Sequence, residues 1–372
     1  MTSALLDNVE VLRCPISGEG LRALTAMELA NLQKEVLSGL WRHADATQLI
    51  APLSGALTTP QSRIVYRVEE EIACLLPQLA IRPASMAAAE APLREEKRRV
   101  QAFYDEYGWC KNAAGLFNDT ADFTDIRNVA RAYQSRAQGR IGRHLGSGKF
   151  LLDAASGAIP HPEYLDFGRS YKRRICVDLS LRALREARHK LGDRGIYVMG
   201  DVTRLPLAAA SVDGIVSLHT IYHLPPDEQL KAVAELRRVG KPSAPIVIVY
   251  TWRTSPLMNF FSHLRGIVRW AKHPFGHAAM AGPCLVTEAT ATPPLFYHPQ
   301  DYAWYQREVL SRYRVKLRVW CAVSTEFQRR FFSENASGRA LARAVRGLET
   351  AFPWFCGRFG QYPMFILGKE KS

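Results

Sequence analysis

The feature that most constrains this fold is the regular alternation of strand-like and helix-like patterns that begins at Lys149. Five segments have the length and apolar composition of strands: KFLLDAA, RRICVDL, IYVMGD, VDGIVSLHT and APIVIVYTW. The helical patterns LRALREARHKL and PDEQLKAVAELRRV lie between them. Such alternation predicts a doubly wound α/β fold, with a mostly parallel sheet that carries helices on both faces. Because ligands of these sheets bind at the carboxyl ends of the strands, we expect the functional residues there.

The rest of the chain is organised around this core. Residues 1–82 mix helical and strand patterns and are predicted to form a small α+β accessory module. Residues 83–148 begin with a linker rich in proline and small residues and continue as a predicted helical lid segment. We expect the core domain over residues 149–372, with a lid insertion at about 271–298 that contains the long loop His273–Pro294.

Composition excludes several classes of protein. With 47% hydrophobic residues in 372, the chain can bury a core, but no apolar run approaches the ~20 residues of a membrane span. The first residues lack the basic and apolar segments of a secretion signal. No two of the seven cysteines lie within four residues of each other, which indicates reduced thiols, a cytoplasmic location and no metal site.

The net charge of +14 is concentrated at one end of the chain. Residues 253–372 contain 17 lysines and arginines against 7 acids, and so carry +10 of the total. A basic surface attracts nucleic acid, anionic lipid or an acidic substrate, although it is as often only a solvated surface. No run of more than two basic residues and no RNA-binding signature accompanies it. A nucleic-acid partner is therefore not favoured, and the oligomeric state is left open.

The first strand ends in Asp153 and is followed by small residues that let a ligand lie against the backbone, namely Ala154, Ala155, Ser156, Gly157 and Ala158. Only one glycine is present where a dinucleotide-binding loop needs three, so a nucleoside without phosphates fits better than NAD. The second strand ends in Asp178, which can accept both hydroxyls of a ribose. The third is followed by Asp201, where an adenine amino group could donate.

The segments LLDAASG, CVDLS, GDVTRLP and VDGIVSLHTIYHLPPDEQLKAVAELRRV resemble the successive motifs of class I S-adenosylmethionine-dependent methyltransferases, of the small-molecule type related to ubiquinone and menaquinone methyltransferases. The resemblance covers residues 149–252 and implies S-adenosylmethionine as the cofactor. It places Asp153 at the methionine ammonium and Gly157 at the floor of the site. Further cofactor contacts implied by position are Asp178 with Leu179 at the ribose, Asp201 with Val202 at the adenine, and Leu218 with His219 at the end of the fourth strand. The chain departs from the family in its DAASGAI loop and in Lys241–Ala244 before the fifth strand, because both lack the usual glycines.

The N-terminal segments LRCPISGEGL and RIVYRVEEEIACLLPQLAI resemble the small Trm112-like fold, which often binds zinc and which activates methyltransferases as a separate partner. Ser17 stands where a second zinc ligand after Cys14 is expected, and no later pair of ligands exists. Since tetrahedral zinc needs four ligands, we expect a packing module without metal.

Candidate catalytic residues follow the fourth strand. His219 and His223 lie at the catalytic edge, and because imidazole titrates near neutrality, either is a candidate base, with Tyr222 between them. We expect Tyr104 and Tyr107 to close over the ligands as a lid. At the end of the fifth strand, Tyr250 and Trp252 are predicted to form an aromatic wall for the acceptor. Each of these residues has an ordinary structural alternative, such as helix packing for the lid tyrosines.

Three functions compete at this point. The first is a methyltransferase that acts on a small-molecule acceptor. The second is an RNA or protein methyltransferase that docks through the basic C-terminal third, although Leu224-Pro225-Pro226 stands in place of an Asn-Pro-Pro-aromatic motif. The third is a scaffold that binds cofactor without catalysis, which the degraded glycine loop suggests and the intact acids oppose.

Overall fold

The computed structural model describes residues 4–45, 52–61, 63–86, 90–263 and 294–370, so the predicted loop His273–Pro294 lies almost wholly outside the described residues. The strands are β1 (Arg22–Ala23), β2 (Trp41–His43), β3 (Ala56–Thr58), β4 (Val65–Glu69), β5 (Ile72–Cys74), β6 (Ile81–Pro83), β7 (Gly148–Ala154), β8 (Tyr171–Asp178), β9 (Gly195–Met199), β10 (Gly214–Leu218), β11 (Ile246–Val249), β12 (Tyr313–Cys321) and β13 (Tyr362–Glu370). The helices are α1 (Ala26–Leu37), α2 (Glu95–Phe103), α3 (Asn118–Phe123), α4 (Asn128–Gly142), α5 (Pro162–Asp166), α6 (Leu181–Leu191), α7 (Pro226–Val239), α8 (described over 256–263), α9 (Tyr302–Trp304), α10 (Thr325–Phe331), α11 (Ala336–Ala351) and α12 (Pro353–Phe359). None of them, within the described ranges, is long and apolar enough to cross a membrane.

The central sheet confirms the predicted α/β architecture. The five predicted strands correspond to β7 to β11, which lie parallel in the spatial order β9-β8-β7-β10-β11. The sheet continues through β13, which runs antiparallel to both β11 and β12. Helices α4, α6 and α11 pack on one face, whereas α7 and the N-terminal segment pack on the other. The fold is therefore doubly wound and mostly parallel at its centre.

The N-terminal segment extends this sheet. Strand β5 pairs in parallel with β9, with Ala73 opposite Val198, so that β9 is not an edge strand. Leu12 and Tyr66 are fully buried in the same core as the central strands. The predicted boundary at residue 82 thus separates segments that share one sheet and one core.

The sulfur of Cys14 is enclosed by protein groups. It lies 3.3 Å from the hydroxyl of Tyr66 and accepts a hydrogen bond from the backbone N–H of Ser17 at 3.4 Å. In the part of the chain that the structure describes, no three His, Cys, Asp or Glu side chains are grouped as metal ligands. The expectation of a metal-free module stays a prediction, which elemental analysis for zinc can test.

Buried Glu349 joins the C-terminal helices to the rest of the fold. Its carboxylate accepts hydrogen bonds from the backbone N–H of Ala322 and from Arg140, each at 2.7 Å, and from the hydroxyl of Tyr133. Tyr133 and Arg140 belong to α4, and Ala322 follows β12. One carboxylate therefore connects α4, α11 and the sheet.

We expect Glu349→Gln to lower the free energy of unfolding by about 3 kcal/mol, because it leaves the half-buried Arg140 guanidinium without its counter-charge. Urea unfolding followed by circular dichroism measures this loss. Glu106→Gln is the control, since Glu106 is exposed and forms no ion pair among the described residues; it should change the value by less than about 0.5 kcal/mol. Equal effects of the two substitutions would contradict the role given to Glu349.

Candidate cofactor and acceptor site

A cavity of about 720 Å³ opens at the carboxyl ends of β7, β8, β9 and β10, where the sequence predicts the site. Side chains of α2, α3 and α4 form one side of it, and residues that follow β12 form another. Its volume lies in the range of small-molecule and cofactor pockets. Of the residues predicted from the sequence, those that line it are Tyr104, Asp153, Ala155, Ser156, Gly157, Asp178, Leu179, Val202, Leu218, His219, Tyr222 and His223.

The floor of the cavity is the loop after β7. Ala155 and Gly157 have φ values of +57° and +54°, which turn the backbone sharply away from the strand. A Cβ atom added to Gly157 would lie 2.6 Å from the ring of Trp109, so no larger residue fits without displacing that ring. Two of the predicted small residues lie elsewhere. Ala154 still belongs to β7 and packs into the core, and Ala158 packs with Trp109 and Phe117.

Asp178 joins this loop to the second strand. One carboxylate oxygen accepts the backbone N–H of Gly157 at 2.8 Å, and the other accepts the N–H of Ser180 at 2.9 Å. Burial raises the pKa of Asp178 to about 6, although these two hydrogen bonds oppose the shift. The carboxylate therefore fixes the loop and reaches the cavity, where a ligand hydroxyl can donate to it.

Asp153 lines the cavity, but its charge is already balanced. Arg174, which is 2% exposed, donates to the same oxygen of Asp153 from Nε at 3.0 Å and also from Nη2. A third guanidinium nitrogen donates to the carbonyl of Tyr164. An ammonium group at Asp153 would share the carboxylate with this arginine, so the predicted contact with the methionine end stays a prediction.

Asp201 does not line the cavity, contrary to its predicted place beside adenine. One of its oxygens accepts from Lys97 at 2.6 Å, and the other accepts from the N–H and the hydroxyl of Thr203. Lys97 is buried and lies 2.5 Å from a carboxylate oxygen of Glu228 as well. Asp201 therefore anchors α2 through an ion pair, while its neighbour Val202 faces the cavity.

His219 and His223 both line the cavity, but neither titrates near neutrality. Burial lowers the pKa of His219 to about 3 and that of His223 to about 4. Nδ1 of His223 lies 2.7 Å from the carbonyl oxygen of Phe296, which can only accept, so this nitrogen carries the proton. The other nitrogen, Nε2, is consequently an acceptor. His219 has φ +57° and contacts the ring of Trp320 with a centroid separation of 4.5 Å.

Only one of the two predicted lid tyrosines reaches the cavity. Tyr104 stacks on Trp109 at 5.1 Å and meets His223 edge-on at 6.4 Å. Tyr107, three residues further along the same helical turn, points elsewhere and donates its hydroxyl to Asp122 at 2.7 Å. The lid contact is therefore made by Tyr104 and Trp109, and the prediction for Tyr107 is wrong.

The predicted aromatic wall of Tyr250 and Trp252 is wrong as well. Both side chains are buried in the core, where the Tyr250 hydroxyl donates to Gln229 and the Trp252 indole N–H donates to the carbonyl of Gly357, each at 2.8 Å. Alternation along the extended chain sends Thr251 to the opposite side, and Thr251 lines the cavity.

Several lining residues carried no sequence signal. Asp119 at the start of α3 faces the cavity, and burial and then the nearby Asp122 raise its pKa to about 7. The remaining ones come from segments distant in the chain, and include Trp109, Gln134, Gln138, His161, Tyr297, Trp320, Gln328 and Tyr362. Only the aromatic content of FYDEYGW hinted at any of them.

Residues 152–248 match the protein family described as methyltransferase domain. A demethylmenaquinone methyltransferase from Renibacterium salmoninarum is 31% identical over 140 residues, which are 36% of this chain and 56% of that protein. The chain thus spans little more than half the length of this relative.

Two solved structures are also similar. Geranyl diphosphate C-methyltransferase from Streptomyces coelicolor A3(2) is 14% identical, with a TM-score of 0.45 over 75% of this chain and 100% of that one. A structure of the Haloferax volcanii Trm112 methyltransferase activator with a protein assigned as a methyltransferase is 15% identical, with a TM-score of 0.37 over 67% and 99% of the two chains.

We expect Asp119→Asn to change the pH dependence of stability. Because the folded protein raises the pKa of Asp119 to about 7, its stabilising contribution is complete below about pH 4 and is lost as the pH rises through 7. The neutral amide carries no such penalty. The Tm of the variant relative to that of the wild type should therefore increase from pH 5 to pH 8.

Thermal unfolding at the two pH values measures this difference. Asp193→Asn removes one exposed carboxylate and controls for net charge. A Tm difference for Asp119→Asn that does not vary with pH would show that Asp119 is not withdrawn from water.

Proposed function

We propose that the protein is an S-adenosylmethionine-dependent methyltransferase that acts on a small-molecule acceptor. This proposal rests on one observation: the glycine loop, Asp178 and Val202 line the same cavity, and all three lie within residues 152–248, which match the methyltransferase-domain family. Their order along the strands matches the order of floor, ribose and adenine contacts that the motifs imply.

The residues present fit this cofactor. Among the described lining residues are five carboxylates (Asp119, Asp122, Asp153, Asp178 and Glu326) and two cations, Lys97 and Arg329. Arg174 behind the lining balances Asp153, so four of the five acids have no such counter-charge in the described part of the chain. Lys97 is paired with acids, and Arg329 donates to backbone carbonyls of α3. In a chain of net charge +14, this acidic interior favours a cationic sulfonium ligand over a pyrophosphate. When bound, S-adenosylmethionine supplies an electrophilic methyl group.

Roles for the protein follow from these positions. Asp178 accepts the ribose hydroxyls, the loop at Gly157 supports the ligand from below, and Val202 offers an apolar surface to the base. Tyr104 and Trp109 cover the site and exclude water, which strengthens the electrostatic attraction inside. Alignment of donor and acceptor supplies most of the acceleration of such a displacement.

The part of the cavity away from the strand ends suits a modest-sized, partly apolar acceptor. Tyr222, Trp320 and Tyr362 contribute aromatic surface, and Gln134 and Gln138 contribute amide groups. The R. salmoninarum relative is named for demethylmenaquinone, a quinone, and a planar ring with polar substituents fits such walls. We therefore propose a ring-containing acceptor with a hydroxyl or other protic nucleophile.

A protic acceptor must lose a proton to this chain, and two groups are placed to take it. His223 offers the lone pair of Nε2, because Nδ1–H is held by the Phe296 carbonyl. Asp119 offers a carboxylate that forms fully only above pH 7. We propose His223, since its neutral, proton-accepting form is present throughout the physiological range.

The competing functions have less support from the cavity. An RNA acceptor would bring phosphates to a cavity lined by five carboxylates, and the repulsion opposes an RNA methyltransferase. The acceptor space beside the cofactor residues opposes a purely binding scaffold. For residues 1–82 we propose a Trm112-like packing role, which rests on β5 completing the sheet at β9.

Asp178→Ala should weaken binding of S-adenosylmethionine by about 1–3 kcal/mol, the scale of losing charged hydrogen bonds. Isothermal titration calorimetry measures the change, and Asp193→Ala is the surface control. NAD should not bind to either variant or to the wild type. Unchanged affinity in a folded Asp178→Ala protein would contradict the assignment of this carboxylate to the ribose.

His223→Ala should lower kcat by about 10²–10⁴ and leave the affinity for S-adenosylmethionine nearly unchanged, because it removes only the proton acceptor. Production of S-adenosylhomocysteine with a short-chain naphthoquinol as the trial acceptor provides the measurement. Since the pKa of His223 is about 4, kcat at saturating cofactor should stay level from pH 8 to pH 5 and fall only at lower pH. A fall through pH 7 that Asp119→Asn abolishes would transfer the role of base to Asp119.

A further inference from the structure

The junction of α11 and α12 exposes an unusual amount of apolar surface. Leu348, Phe352, Trp354 and Phe355 are exposed by 56%, 59%, 51% and 50%, and they lie within eight consecutive residues. We call these four residues the aromatic corner. Glu349 of α11 and the buried residues Cys356 and Gly357 of α12 hold the two helices against the fold, so the corner is fixed in an outward orientation.

An arginine-rich surface lies beside the corner. Helices α4 and α11 form a shallow cleft, and we call its five guanidinium side chains the arginine face: Arg136, Arg140, Arg143, Arg343 and Arg346. Only Arg140 has an acidic partner among the described residues, namely Glu349. Burial, and then the neighbouring guanidinium groups, lower the pKa of Arg346. The cleft thus presents four uncompensated positive charges.

The outer surface of α11 connects these two features. Between its arginine flank and Leu348, the exposed positions are the small residues Ala340, Ala344, Gly347 and Ala351. Small side chains let the helix lie close against a flat surface. The helix therefore presents arginines on one side, a row of small side chains in the middle and large apolar side chains on the other side.

We propose that α11, α12 and the adjoining face of α4 bind the interface of an anionic lipid bilayer. Tryptophan, phenylalanine and leucine enter the boundary between headgroups and acyl chains, and arginines bind the headgroup phosphates. The arrangement suits a bilayer better than the alternatives. A second copy of this surface would bring four like charges against four others, and a nucleic acid bound to the arginines would leave the aromatic corner in water.

This surface is separate from the cavity. Helix α4 presents Gln134 and Gln138 to the cavity, whereas Arg136, Arg140 and Arg143 lie on the cleft with α11. Substitutions in the arginine face or the aromatic corner should therefore leave binding of S-adenosylmethionine unchanged. A test of lipid binding is consequently independent of a test of the proposed methyltransferase activity.

Cosedimentation of the full chain with vesicles tests the proposal. Vesicles of equal parts phosphatidylcholine and phosphatidylglycerol should bind the protein at low salt, and vesicles of phosphatidylcholine alone should bind it much more weakly. The triple variant Arg136→Gln/Arg143→Gln/Arg343→Gln should weaken vesicle binding about 100-fold, because each arginine near an anionic surface strengthens binding by roughly fivefold. The matched control Lys34→Gln/Arg42→Gln/Lys231→Gln removes the same charge from exposed positions of α1, β2 and α7 and should bind nearly as the wild type does.

The aromatic corner needs its own variant. Trp354→Ser/Phe355→Ser should reduce vesicle binding at least tenfold, whereas Met27→Ser/Leu37→Ser, which replaces the exposed apolar residues of α1, should not. Equal binding of wild type and both variants would overturn the proposal, as would equal binding to the two kinds of vesicle. A dimer that Trp354→Ser/Phe355→Ser dissociates in size-exclusion chromatography would show a contact between chains instead. Retention on single-stranded RNA that depends on the arginines but not on the corner would show a nucleic-acid surface.

Discussion

The hydrogen bond from the Gly157 N–H to Asp178 is the interaction on which the site depends. It closes the loop after β7 onto the end of β8, and it holds that loop in a left-handed turn at Ala155 and Gly157. The space left by the missing side chain of Gly157 is filled by Trp109, which in turn stacks on Tyr104. The floor of the cavity, the Asp178 carboxylate and the aromatic cover are thereby set by one local constraint, in a loop that retains a single glycine of the usual pattern.

Burial also sets the protonation of three histidines and two aspartates that line the cavity with this loop. It keeps the imidazoles of His161, His219 and His223 neutral, with pKa values of about 4, 3 and 4, and it raises the pKa values of Asp119 and Asp178 to about 7 and 6. Lys97 is paired with Asp201, which lies outside the cavity lining, and Arg174 balances the charge of Asp153 alone. A strongly basic chain thus encloses an acidic site. The net charge of the chain and the charge of the site are therefore of opposite sign.

The sequence was informative wherever a residue's role follows from its position along a strand. Alternation of strands and helices predicted β7 to β11, and the predicted ends of β7 and β8 lead to Gly157 and Asp178, both of which line the cavity. The sequence-based prediction failed where the direction of a side chain matters. Tyr250 and Trp252 follow β11 as expected, but their side chains point into the core, and it is Thr251 between them that lines the cavity. It also failed for Asp119, which reaches the cavity from a helix that precedes the sheet in the chain. No local pattern encodes such a contact, since it depends on how α3 is held by α10, where Arg329 donates to the carbonyls of Ala121 and Asp122.

Helix α4 shows how the two surfaces of this molecule are kept apart. Its glutamines face the cavity, its arginines face α11, and buried Tyr133 and half-buried Arg140 bind the same carboxylate of Glu349. The helix is therefore held on both sides by polar contacts rather than by apolar packing alone. Because Glu349 also accepts the N–H of Ala322, the C-terminal helices cannot tilt without disturbing the strand end next to Trp320. A ligand bound along α11 would therefore contact a rigid element that borders the cavity near Trp320, whereas the loop at Gly157 and Asp178 is held separately by β7 and β8.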